Sequence, residues 1–222
     1  MLRFVCLGLM LFIFSVSPSS ATRYDYSDAP NYDKAYHATN QWQMLGTKWD
    51  KETSPLNQDT SDDGVFWSTD GGKTYGHDDL TIGQGVIFRF DVTRSLSGDH
   101  QYDQLKAWID WDGDKVWDNT AEQIIALQWF KHVKKQDDKI TRKSFYTGII
   151  EVPQYAHIGE TWLRARVSCD HVKFEDTTPY GYLWQGEVED WKVNIHAPLP
   201  PSVWLFGSGL VGLIGLRRFR KG

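Results

Sequence analysis

From Gly186 to Ile195 the chain reads Gly-Glu-Val-Glu-Asp-Trp-Lys-Val-Asn-Ile, a strand with an acidic start. Side chains alternate faces along a strand, so Trp191, Val193 and Ile195 share one side, which predicts a core-facing row. The same parity puts Glu187 and Glu189 on that side. Two carboxylates at the end of an apolar row are costly to bury unpaired. They demand a cation, an arginine or an open edge, and Asp190 adds a third acid beside them. Arg164 and Arg166, in the strand-like stretch Thr161 to Cys169, are the arginines to consider. Alternation sets both on the side away from Leu163, so they meet the glutamates only if a bulge intervenes.

Other stretches repeat the strand signal. Val86, Phe88, Phe90 and Val92 alternate with Ile87, Arg89 and Asp91, and Leu105, Ala107 and Ile109 alternate with Lys106 and Trp108. Ile124 to Phe130 suits a strand covered on both faces, and Phe145 to Val152 reads as another, stopped by Pro153. Thr22 to Lys48 reads as an extended arm or loop packed by its tyrosines. Asp50 to Gly76 is polar around the short Val65-Phe66-Trp67, Lys131 to Lys143 reads as an exposed hairpin loop, and Asp170 to Gly181 as a polar loop. Short strands, frequent loops and no amphipathic helix predict an all-β, antiparallel β-sandwich over residues 22–196. Cys6 lies in the leader. Cys169 is then the single mature thiol, in step with Leu163, Ala165 and Val167, which predicts a buried inert side chain and excludes an intramolecular disulfide.

The two ends differ from the middle. Residues 1–21 have a basic start at Arg3, an apolar run from Phe4 to Val16, and small residues Ser19-Ser20-Ala21, the pattern of a cleaved signal peptide. Residues 197–201 (Ala-Pro-Leu-Pro-Pro) form a stiff spacer. Residues 202–222 comprise an apolar, glycine-rich segment expected to be a short transmembrane helix, then the basic Arg217-Arg218-Phe219-Arg220-Lys221. The positive-inside rule keeps that tail cytoplasmic and the sandwich outside. The 24 basic and 29 acidic residues give a net charge of −5. Without the five terminal basic residues, 19 stand against 29, a balance of −10. Such a middle repels nucleic acid and favours cations.

Asp110-Trp111-Asp112-Gly113-Asp114-Lys115-Val116-Trp117-Asp118 is the densest chemical signal. Carboxylates at alternate positions of a tight loop can turn oxygens onto one centre, and calcium takes six to eight oxygen ligands. Lys115 stands where a helix-loop-helix calcium loop has its glycine, and Glu122 falls one place late for the bidentate ligand. The flanks read as strand. The expectation is therefore a β-loop calcium site using Asp110, Asp112, Asp114 and Asp118, with Glu187, Glu189 and Asp190 as a second candidate cluster; solvated acidic turns are the plain alternative. Trp108, Trp111 and Trp117 are candidates for stacking on sugar rings if exposed. Paired carboxylates could serve glycoside hydrolysis. Yet there is no nucleophile elbow, zinc motif, phosphate loop or dinucleotide fingerprint in the ectodomain, and the reading is non-enzymatic.

Several motifs together resemble GEVED-domain proteins: Tyr24-Asp25-Tyr26-Ser27-Asp28-Ala29-Pro30, Asp62-Asp63-Gly64-Val65, Ala107 to Asp114, Arg164-Ala165-Arg166, and Gly186-Glu187-Val188-Glu189-Asp190-Trp191, in that order. The departures are Lys115, where a small or glycine residue is usual, and Trp111 and Trp191, where Phe and Tyr are usual. Pro198-Leu199-Pro200, the apolar Val203 to Leu210 and the terminal arginines resemble a PEP-CTERM sorting signal in its Pro-Leu-Pro variant. That resemblance implies a Gram-negative bacterium and an exosortase-type processing enzyme acting near the prolines. The precursor would be anchored in the inner membrane, and the product would belong to the cell surface or the biofilm matrix. A carbohydrate-binding module contacting extracellular polysaccharide, or a glycan-active hydrolase, are the alternatives the residues leave open.

Overall fold

The structure is a computed structural model that describes residues 24–38, 43–49, 62–95, 102–130 and 140–200. The expected signal peptide (1–21) and the expected membrane helix with its basic tail (202–222) lie outside these residues. Among the described residues no helix is long and apolar enough to cross a membrane. In chain order the strands are β1 (Tyr24–Tyr26), β2 (Ala35–Ala38), β3 (Gln43–Leu45), β4 (Val65–Ser68), β5 (Leu80–Thr81), β6 (Gly85–Ser95) and β7 (Tyr102–Ile109). They continue with β8 (Gln123–Phe130), β9 (Ile140–Tyr146), β10 (Ile150–Glu151), β11 (Gly159–Cys169), β12 (Gly181–Leu183) and β13 (Glu187–His196). One 3₁₀ turn, Phe174–Asp176, sits in the loop before β12.

Two sheets face each other, as the alternation predicts. In the first, β6 is the centre, pairing with β3 and β4 and also with β9 and β10. The second runs β5-β13-β11-β7-β8. Val86, Phe88, Phe90 and Val92 of β6 meet Leu105, Ala107 and Ile109 of β7, Leu163, Ala165 and Val167 of β11, and Val193 and Ile195 of β13 in one core. Cys169 is buried with them in parity, as expected.

The structure corrects the sequence reading in three places. The arm is not merely extended: β1 and β2 pair antiparallel, and β12 joins β2 in parallel, making a third sheet. A second parallel pair, β13 with β5, means that the sandwich is not wholly antiparallel. The stretch Phe145 to Val152 is two strands, and β9 already begins at Ile140 inside the expected hairpin loop. β9 is mostly exposed, so its Thr141, Arg142 and Lys143 look like loop chemistry although their backbone pairs with β6.

The third sheet explains why β11 is buried on both faces. The face opposite the main core carries Trp162, Arg164, Arg166 and Ser168, all buried. Trp108, Trp117, Trp162, Tyr32 and Ala29 form a smaller apolar cluster there.

Candidate functional site

The acids at the start of β13 divide by parity between the two sides of its sheet. Glu187 and Glu189 turn toward the opposing sheet, as alternation requires, and there they accept backbone N–H groups. Glu187 Oε2 accepts the Leu45 N–H at 2.5 Å. Glu189 accepts the Asp63 and Gly64 N–H groups at 3.0 and 2.9 Å, and the Trp191 indole N–H at 3.0 Å. Both glutamates are 1 % exposed. They satisfy backbone donors at the ends of β3 and β4, which would otherwise be buried without partners. Burial pushes the Glu189 carboxyl up to about 7 despite these donors. Asp62 is raised as well, by burial and then by the charge of Glu189.

Asp190 lies on the other side and takes the arginine. Arg164 Nε and Nη2 donate to its two oxygens at 2.7 Å each, a bidentate pair, and the Ala29 N–H adds a third bond at 2.8 Å. Arg164 Nη1 also donates to the Asp33 and Pro179 carbonyls, and its guanidinium lies 3.9 Å from the Trp117 ring centre. Arg166 donates to the carbonyls of Thr178, Tyr180 and Gly181. Its Nε donates to His37 Nε2 at 3.1 Å, which fixes the tautomer: Nδ1 carries the proton and donates to the Gln185 carbonyl at 2.9 Å. Burial, and then Arg166, hold His37 well below its ordinary pKa, so it stays neutral. Asp25 accepts the Val188 N–H at 2.6 Å. Together the two arginines and Asp190 bind the third sheet and the 178–181 turn onto β11 and β13. Gly186 makes the approach possible: its φ is +116°, and a Cβ there would overlap the Val167 carbonyl oxygen.

The loop after β7 is built around Asp110, which is fully buried. Its Oδ1 accepts the Gly113 N–H at 2.7 Å, and its Oδ2 accepts the Lys115 N–H at 2.9 Å and the Tyr32 hydroxyl at 2.6 Å. Lys115 adopts the left-handed φ of +70° that a glycine would take more easily, so its side chain does not prevent the turn. Glu122 closes the loop from the start of β8, accepting the Trp111 N–H at 2.7 Å and the Asp118 N–H at 2.9 Å. Asp110, Asp112 and Glu122 each place an oxygen within 4.8 Å of the others. Burial raises Asp110 and brings Glu122 to about 7, the state of carboxyls crowded without a counter-charge.

Glu122, set aside on spacing, is thus in the cluster. The signal that could have found it is its place immediately before a strand that pairs with β7, which returns it to Asp110. Asp114 and Asp118 are not in it. Asp114 Oδ1 accepts the Val116 N–H, and Asp118 Oδ1 accepts from Thr120 and Ala121, so they cap local turns. Glu187, Glu189 and Asp190 are likewise engaged separately rather than gathered on one centre. Among the described residues the other group close enough to share an ion is Cys169, Asp170 and His171. Trp108, Trp111 and Trp117 are 0, 3 and 1 % exposed. Their rings complete the two cores and leave no face for a sugar.

These features define a class: an all-β, sandwich-like domain in which buried acids and arginines fasten a third, small sheet. The family model of the GEVED domain matches residues 104–194, somewhat less than half of the chain. The matched span carries β7, β8, β11, β13 and the Gly186 to Asp190 string whose contacts are given above. No curated protein matches the chain.

Proposed function

We propose that this chain is an exported, non-enzymatic protein of the cell surface or extracellular matrix, processed at Pro198-Leu199-Pro200 by an exosortase-type enzyme. The observation that carries the reading is the position of the motif. β13 ends at His196, and residues 197–200 are all exposed, with Leu199 at 66 %. Proline lacks the N–H that a further ladder bond needs, so the chain leaves the sheet at that point. A processing enzyme requires such a segment, extended and clear of the folded domain. The apolar stretch and arginines that follow would hold the precursor in the inner membrane of a Gram-negative bacterium until cleavage.

Calcium fits the same setting. Asp110 and Glu122, both buried, and the exposed Asp112 offer hard oxygen ligands close together, and a cation there would relieve the crowding of their charges. Binding to the folded form alone would stabilise it through linkage.

Co-expression of the full chain with and without a cognate exosortase tests the sorting reading. Intact mass of the product should fall by the segment after the prolines only when the enzyme is present; an unchanged mass would overturn it.

A further inference from the structure

We propose that Cys169, Asp170 and His171, at the end of β11, form a zinc site with three protein ligands and one exchangeable position. The inference rests on neither the sorting nor the calcium reading, and it uses none of the oxygen ligands assigned to calcium.

The main core ends at this level of the sandwich. On β3, β6, β7 and β11 the apolar positions Leu45, Val92, Leu105 and Val167 give way, two residues further along the same face, to Gln43, Arg94, Asp103 and Cys169. Register sets Cys169 beside Asp103 and Gln43 beside Arg94, and Arg94 Nη1 pairs with Asp103 at 2.9 Å. Cys169 therefore stands in a polar layer, although its parity alone reads as inert core. Its sulfur lies 3.3 Å from His171 Nδ1 and 3.1 Å from Gln185 Oε1. Asp170 Oδ1 is 3.8 Å from the same imidazole nitrogen. Cys169, Asp170 and His171 each place one ligand atom within 4.8 Å of the others. Gln43 points to a ligand independently. It is 1 % exposed, its amide lies against the Cys169 sulfur, and neither its oxygen nor its nitrogen has a hydrogen-bond partner of normal geometry among the described residues. A buried amide in that state is costly, and a water held by a metal at the fourth position would satisfy it.

The donor set selects the ion. Zinc accepts thiolate sulfur, imidazole nitrogen and carboxylate oxygen alike, whereas calcium and magnesium take oxygen. Zn–S of about 2.3 Å and Zn–N of about 2.0 Å at a tetrahedral angle set sulfur and nitrogen about 3.5 Å apart. The observed 3.3 Å is close to that. Charge agrees: one thiolate and one carboxylate neutralise a divalent ion, so no uncompensated charge is buried. The thiol proton passes to bulk water as the Zn–S bond forms. The turn is also held in place. The Val172 N–H donates to the Cys169 carbonyl at 3.1 Å, and the buried Gln104 Nε2 donates to the Cys169 and Val172 carbonyls at 3.2 and 2.9 Å. Asp170 Oδ2 accepts the Tyr102 N–H at 3.3 Å, the kind of second contact that normally orients a metal ligand. The His171 and Asp170 side chains are 49 and 26 % exposed, so an ion reaches the buried sulfur from their side.

The test uses the purified full chain in detergent with a thiol-free reductant, without a histidine tag and in a Cys6→Ser background, so that Cys169 is its one thiol. Cobalt(II) is titrated as a spectroscopic substitute for zinc, and zinc then competes for the site. One cobalt per chain should bind, with a near-ultraviolet sulfur-to-cobalt charge-transfer band and the visible bands of a tetrahedral ion, and zinc should bleach both. Cys169→Ser should erase the charge-transfer band. His171→Asn should weaken zinc binding about 100-fold, and Gln43→Leu about tenfold. His171 is half exposed, so its variant is expected to keep the parent melting temperature, which separates lost binding from lost folding. Glu122→Gln should leave the band and the zinc affinity unchanged, which sets this site apart from the carboxylate loop. No charge-transfer band in the parent, a band that survives Cys169→Ser, or an unchanged zinc affinity in His171→Asn would each overturn the proposal. So would zinc binding that Glu122→Gln removes, because the ion would then belong to the loop after β7.

Discussion

Asp190 is the position at which the reasoning about buried charge is most exposed to test. Asp190→Ala removes both oxygens that Arg164 contacts at 2.7 Å and the acceptor of the Ala29 N–H. The guanidinium is fully buried and would lose its counter-charge. Removing one partner of a buried pair costs about 3–5 kcal/mol. Arg164 would keep the Asp33 and Pro179 carbonyls and the face of Trp117, so the lower end, about 3 kcal/mol, is expected. For a domain of this size that lowers the melting temperature by about 6–12 °C. Urea unfolding followed by tryptophan fluorescence measures the loss. Arg164→Met and the double variant complete a cycle in which the double should cost less than the sum by about 2 kcal/mol, because it leaves no stranded charge. A loss below about 1 kcal/mol in Asp190→Ala, or additivity within about 0.5 kcal/mol, would refute the argument.

Three further outcomes follow from the same contacts. Gly186→Ala drives a Cβ into the Val167 carbonyl and should abolish soluble expression, whereas Gly71→Ala, with nothing within 4 Å, should lose only about 1 kcal/mol through its positive φ; equal behaviour of the two would remove the special role given to Gly186. Glu189 binds its proton more tightly folded, near 7, than its ordinary 4.5. Its contribution is therefore full below about 4.5 and lost as pH rises through about 7, so Glu189→Gln should flatten the pH–stability profile over that window; parallel profiles for parent and variant would contradict this. Calcium at 100 times its dissociation constant should stabilise the chain by about 2.7 kcal/mol in thermal melts. Asp112→Asn or Glu122→Gln should erase that shift, while Asp118→Asn, a turn cap, should keep it.

Parts of this fold could be read from residues in order. The alternation in 86–92, 105–109 and 161–169 announced β6, β7 and β11, and parity correctly set Glu187 and Glu189 opposite Arg164 and Arg166. β1, β2 and β12 escaped because each has three or four residues and because β12 joins β2 in parallel from a distant part of the chain. Tryptophan-rich segments suggested sugar stacking, but Trp108 and Trp117 lie beneath the third sheet, which was not legible.

What the sequence determined by itself was the all-β class and the side of its strand on which each β13 acid stands, because both follow from a period of two along a short stretch. The partner of each acid was decided by the tertiary structure alone. Glu189 meets the Gly64 N–H across 125 residues, Glu187 the Leu45 N–H across 142, and Asp190 the Ala29 N–H across 161. A backbone N–H has no residue identity, so no side-chain pattern marks which one will come to a carboxylate. Only the packing of three sheets brings those donors to those acids.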